Sequence, residues 1–142
     1  MPQTYQKLGL QFQYPDNWTI DEEDALAGNA TVSVQSPEGG FWSVTLHPVA
    51  ADLPELLAGA VAAMREVYEQ LDSEPVQETI GVHELEGFDM NFYCLDLTNT
   101  ACVRGLRTRR GTLVIFWQAE DREYARSEPI FQAMTISLLR AS

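Results

Sequence analysis

The chain has 142 residues, 45% of them hydrophobic and 10% aromatic, which fits a single globular domain spanning 1–142 and excludes a disordered chain. Nine Lys and Arg against 21 Asp and Glu leave a net charge of −12, and such a surface repels nucleic-acid phosphates and anionic head groups, so neither is an expected partner. Residues 1–7 are polar, without a basic region leading into an apolar run, and no apolar stretch reaches the ~18 residues of a membrane span, so the cytoplasm is the expected compartment.

Leu8, Leu10, Phe12 and Tyr14 alternate with Gly9, Gln11 and Gln13, the period of a strand with one apolar face. Pro15 removes a ladder donor, Asp16-Asn17 supplies a turn, and Trp18 re-enters a buried layer. Asp21-Glu22-Glu23-Asp24 and Gly28-Asn29 read as a solvated loop. Residues 31–36 alternate as a strand, Pro37-Glu38-Gly39-Gly40 has hairpin-turn composition, and residues 41–47 return as a strand with Trp42, Val44 and Leu46 on one face.

A helix is predicted next, because Leu53, Leu56, Leu57, Ala60, Val61, Met64, Val67, Tyr68 and Leu71 keep 3–4 spacing over five turns. Asp52 is placed to cap it with Glu55 three residues on, Pro54 suits the first turn, and Pro75 closes the segment. Strands follow at 76–82 and through 88–94, where Phe88, Met90, Phe92 and Cys94 share a face opposite Asp89, Asn91 and Tyr93. Thr98-Asn99-Thr100 is the expected turn, residues 101–108 run back, and Arg109-Arg110-Gly111 turns into a strand at 112–118. Within it Leu113-Val114-Ile115-Phe116-Trp117 is apolar throughout, as in a central strand covered on both faces. Two helical pieces end the chain, 121–126 and a second capped by Ser127, with Glu128 and Pro129 in its first turn and Ile130, Phe131, Met134 and Leu138 facing inward.

This order does not alternate strand and helix, so the expected fold is α+β, a mainly antiparallel sheet with helices on both sides, an α/β/α sandwich. Here the chain resembles a family. Leu10-Gln11-Phe12-Gln13-Tyr14-Pro15-Asp16-Asn17-Trp18 looks like the opening of the PsbP-like superfamily, which includes the DcrB and Mog-type proteins. Residues 131–138, Phe-Gln-Ala-Met-Thr-Ile-Ser-Leu, are similar to its closing helix. The resemblance implies a non-catalytic binding protein, since relatives include a photosystem subunit, a partner of the Ran GTPase and bacterial chaperones for membrane-inserting effectors. Its motifs are structural, so no functional residue carries over. The chain shows no export segment of the lumenal and lipoprotein members, which argues against those roles.

Little in the sequence points to chemistry. His47 and His83 are the only histidines, and neither has a second ligand type at the close spacing of a zinc motif. Cys94 shares an apolar face and Cys102 lies eight residues on across a hairpin; two reduced, buried thiols are expected, with a pairing left open by the unknown register. Gly39-Gly40 lacks the Lys of a phosphate loop, and residues 21–24 lack the ligand spacing of a calcium loop. No catalytic residue, cofactor or metal is therefore expected, and the chain reads as no enzyme.

Charge supplies the remaining signal. Residues 1–100 hold 17 acidic and 2 basic side chains, whereas 101–142 hold 7 basic and 4 acidic ones. Arg104, Arg107, Arg109 and Arg110 make a positive patch on a hairpin, suited to a carboxylate-rich partner or to pairing within the molecule. The run Asp21, Glu22, Glu23, Asp24 is the acidic candidate for a basic partner. Two function classes follow: a protein-interaction or chaperone-like module, as monomer or homodimer, and a small-ligand binder or enzyme with a pocket between sheet and helices near Trp18, Trp42 or Trp117.

Overall fold

A computed structural model describes residues 1–22 and 30–141. The elements are β1 (Gln3–Lys7), β2 (Leu10–Tyr14), β3 (Thr19–Asp21), β4 (Ala30–Gln35), β5 (Phe41–His47), α1 (Leu53–Val67), β6 (Asp72–Ile80), β7 (His83–Cys94), β8 (Leu97–Arg107), β9 (Thr112–Glu120) and α2 (Asp121–Arg140). Strands β3 to β9 form one sheet in the order β3-β4-β5-β9-β8-β7-β6, every pairing antiparallel. The apolar run of β9 thus occupies the middle of seven strands. Leu113, Ile115 and Trp117 join the core under α2, while Val114 and Phe116 pack from the other face against the core under α1.

The two helices lie on opposite faces, as the α/β/α expectation required. Leu53, Leu57 and Val61 of α1 pack on Met90, Phe92, Ala101 and Val103. Phe131, Met134 and Leu138 of α2 pack on the other face with Trp42 and Ile115, and the β1–β2 ribbon adds Tyr5, Leu10 and Phe12 to that layer. Trp18 meets Phe131 edge-on, ring centroids 5.7 Å apart. The turn before it is as expected, with the Trp18 N–H donating to the Pro15 carbonyl at 3.1 Å. The turn between β4 and β5 is also as expected: Gly39 takes φ +105°, and the Ser36 N–H donates to the Gly40 carbonyl at 2.8 Å.

Several boundaries differ from the sequence reading. Leu8 belongs to no strand; Leu8-Gly9 is a two-residue turn with φ +60° and +78°, and residues 3–7 form a strand that Tyr5 alone anchors. Helix α1 starts as expected, the Asp52 carboxylate accepting from the Glu55 N–H at 3.2 Å. It ends at Val67 rather than after Leu71, because Tyr68 turns extended; Tyr68 and Leu71 still join the apolar cluster, while Val67 is exposed. Pro75 does not terminate a helix but lies inside β6, where an edge strand tolerates the missing N–H.

The turn between β7 and β8 is Leu95-Asp96, both with positive φ, and Thr98-Asn99-Thr100 lies inside β8. That register pairs Cys94 with Leu97 and Cys102 with Asp89. Cys94 packs on the α1 side and Cys102 in the α2-side core, so the sheet separates two free thiols. The terminal helix is one piece. Ser127 caps nothing; it is buried and donates to Glu123 at 3.0 Å. Glu123 also accepts from the Ser36 hydroxyl at 2.5 Å and the Gly40 N–H at 2.8 Å, tying the first turns of α2 to the β4–β5 turn, and the helix runs on through Pro129.

Candidate functional site

The sheet ends where the β8–β9 turn, the β6–β7 turn and the β1–β2 turn converge with the last turn of α2. There a cleft of about 680 Å³ opens between Gly9, His83, Arg107, Arg109, Arg110 and Ala141, floored by Leu10, Leu46 and Leu113. The β8–β9 turn is braced by the Thr108 N–H on the Gly111 carbonyl at 2.8 Å. Gly111 is obligatory: a Cβ there would stand 2.3 Å from the His47 carbonyl oxygen. The turn's close approach to β5 thereby sets where its arginines emerge.

The four arginines separate into two kinds. Arg104 does not project from the hairpin tip, contrary to the sequence reading. It sits in mid-strand, 5% exposed, opposite the side-chain-free Gly87. Its Nε donates to Glu78 at 2.9 Å and its Nη2 to Asp89 at 2.7 Å, while its guanidinium carbon lies 5.5 Å from the Trp117 ring centroid. Burial alone would pull the guanidinium pKa down; the hydrogen bonds it donates to Asp89 and Glu78 outweigh that and leave the value raised.

Arg107, Arg109 and Arg110 are exposed, and among the described residues none makes an ion pair. Two are steadied by backbone instead: Arg107 Nη1 donates to the Ala51 carbonyl at 2.8 Å and Arg110 Nη1 to the Gly9 carbonyl at 3.4 Å. Neutral acceptors leave these guanidiniums without a direct carboxylate contact while narrowing the side chains' range. The remaining guanidinium N–H groups are available for carboxylate or phosphate oxygens.

The acidic candidate is less open. Glu22 accepts from the Tyr5 hydroxyl at 3.0 Å and lies 3.8 Å from Lys7 Nζ, which commits it to the β1–β2 ribbon. Burial first, then Glu22, raises the Tyr5 pKa to about 12. Asp21 ends β3, and Glu23 and Asp24 lie outside the described residues.

The chemistry-bearing groups of the core are engaged or silenced. Burial pushes the Cys102 thiol up to about 12, and its sulfur is 3.5 Å from the Tyr124 hydroxyl. Burial also raises the Tyr124 pKa and lowers that of His47. Trp18, Trp42 and Trp117 are all core residues, and among the described residues no three His, Cys, Asp or Glu side chains gather as a metal site. Sequence reasoning found the arginines and missed His83 as their neighbour, since 24 or more residues of chain separate it from the β8–β9 turn. It also missed Glu84 and Glu86, exposed on β7 beside the same end.

No family model matches the chain, and no curated protein matches it. Solved structures do. PA94 of Pseudomonas aeruginosa, a protein of unknown function and candidate regulator, superposes with a TM-score of 0.58 at 11% identity, over 96% of this chain and 95% of that one. The cyanobacterial PsbP (CyanoP) of Synechocystis sp. PCC 6803 also gives 0.58, at 16% identity, over 96% of this chain and 90% of that one. The fold is therefore PsbP-like over nearly the whole chain.

Proposed function

We propose that this protein is a non-catalytic binding module that recognises another polypeptide through its basic end. One observation carries the reading: in a chain of net charge −12, Arg107, Arg109 and Arg110 crowd one cleft with no acidic partner among the described residues. Three like charges placed together repel one another, an arrangement that an anionic ligand relieves. A non-catalytic role agrees with a thiol held protonated by burial and a buried carboxylate, Glu123, occupied by three internal donors. Kinship with DcrB- and Mog-type proteins belongs to the same reading.

Immobilised protein is expected to retain one polypeptide from cell extract in stoichiometric amount. Arg107→Glu with Arg109→Glu and Arg110→Glu should release it. Its association rate should fall as salt rises toward ~0.15 M, where the Debye length is ~8 Å. Retention unaffected by the triple variant would overturn the reading. So would a co-purifying small molecule, seen by native mass spectrometry, with no polypeptide retained; that result would favour a ligand pocket.

A further inference from the structure

The basic cleft does not stand alone. Arg107 is also a wall of a second cleft of about 550 Å³, whose other walls include Thr79, Glu84 and Glu86. Among the described residues Glu84 and Glu86 make no ion pair. They point to the α1 side of β7, as Phe88 does. The second cleft in turn shares Gln77 and Glu86 with a third, of about 380 Å³, lined chiefly by Pro54, Leu57, Pro75 and Phe88. The hollows adjoin through these shared residues and change in order from apolar to acidic to basic; the apolar and acidic ones open on the α1 face, and the basic one at the end of the sheet over Leu46 and Leu113 of the α2-side core.

One wall of the first two hollows is β6 over residues 75–79, the edge of the sheet, whose outer side pairs with no other strand among the described residues. Such an edge takes an extended chain, and side chains of that chain alternate into flanking pockets.

We propose that the three hollows form one trough that binds an extended polypeptide segment with its side chains in a set order: an apolar anchor beside Leu57 and Phe88, basic residues at Glu84 and Glu86, and acidic residues at Arg107, Arg109 and Arg110. This rests on the reading of the basic end above and adds the ligand's composition and order to it. Charge complementarity selects the occupant. A uniformly acidic segment meets Glu84 and Glu86, and a uniformly basic one meets the arginines, so each is repelled over part of its length.

The probes are labelled peptides carrying Leu-Leu, Lys-Lys and Glu-Glu blocks separated by single glycines, made in both chain directions. Controls carry the Lys and Glu blocks exchanged. One matched peptide is expected to bind at least tenfold more tightly than either control by fluorescence anisotropy. Protein carrying Glu84→Lys, Glu86→Lys, Arg109→Glu and Arg110→Glu, all at exposed positions, should reverse that preference. Equal binding of matched and exchanged peptides would overturn the proposal, as would a preference unmoved by the fourfold variant or no peptide binding at all. If instead a Glu-only peptide binds as tightly as the matched one and Arg107→Glu abolishes it, the ordered trough fails while the basic-end reading stands. If the triple arginine variant also keeps its cellular partner, both fail.

Discussion

Arg104 and Arg107 lie three residues apart on β8, yet the chain uses them in opposite ways. Arg104 is flanked by strands on both sides, so its charge is desolvated and must be answered by Glu78 from β6 and Asp89 from β7. Arg107 ends the strand, where its guanidinium reaches solvent and a lone backbone carbonyl suffices to steady it. The same residue type thus serves cohesion at one place and stands open to solvent at the other. What distinguishes them is the number of neighbouring strands, and with it the cost of leaving the charge unpaired.

Substitution should separate the two roles. Replacing Arg104 with Ala removes the cation shared by Glu78 and Asp89; because these carboxylates are 28% and 44% exposed, water answers part of the loss, and the midpoint of denaturant unfolding should report about 1.5–3 kcal/mol. A loss under ~1 kcal/mol would place the residue with the surface arginines. Leu57→Ala and Phe92→Ala test the apolar core under α1, each costing about 2–5 kcal/mol through lost burial and a residual cavity. A variant melting within a degree of the parent would contradict that packing.

Next in size is an alkaline effect on the ribbon that borders the basic end. Tyr5 has its folded pKa raised from 10.0 to about 12, so its stabilising contribution is whole below pH ~10 and is lost as pH rises toward 12. The buried Cys102 thiol acts in the same direction from 9.0 to about 12. Tyr5→Phe should therefore flatten part of the fall in stability between pH 10 and 12, followed by circular dichroism; an unchanged slope would remove Tyr5 from the account. The smallest expected effect belongs to Arg109→Ala, which should leave the melting temperature unmoved, its stability cost staying within ~0.5 kcal/mol. A larger loss would show that Arg109 is structural after all.

Legibility followed the range of the forces involved. The helical stripe of α1, its Asp52 cap, the Gly39 turn and the doubly apolar β9 were all readable, because each is written within a few consecutive residues. The Leu95-Asp96 turn was not. A two-residue turn with both φ positive ordinarily announces itself by Asn or Gly, and here Leu95 takes that conformation while 92% exposed. The misleading signal was Thr98-Asn99-Thr100, whose polarity serves strand contacts instead: the Thr100 hydroxyl donates to Asp121 at 2.7 Å and accepts from Asn91 at 3.2 Å. Likewise Ser127 and Pro129 spell a helix start locally, but the Ser127 hydroxyl donates back to Glu123 within one continuous helix, and Glu123 in turn is bound by Ser36, 87 residues away.

Fold class, the two helix faces, the central strand and the presence of an arginine cluster in an acidic chain can all be read from the residues alone, because periodicity and composition are local properties. Which arginines lack a carboxylate partner among the described residues emerges from the folded chain. That depends on how many strands flank each position and on which carboxylates the antiparallel register carries within 3 Å, and Glu78 and Asp89 reach Arg104 from 26 and 15 residues away. Folding likewise brought His83, Glu84 and Glu86 beside the arginine turn, since the β7–β8 pairing returns the chain to the same end of the sheet.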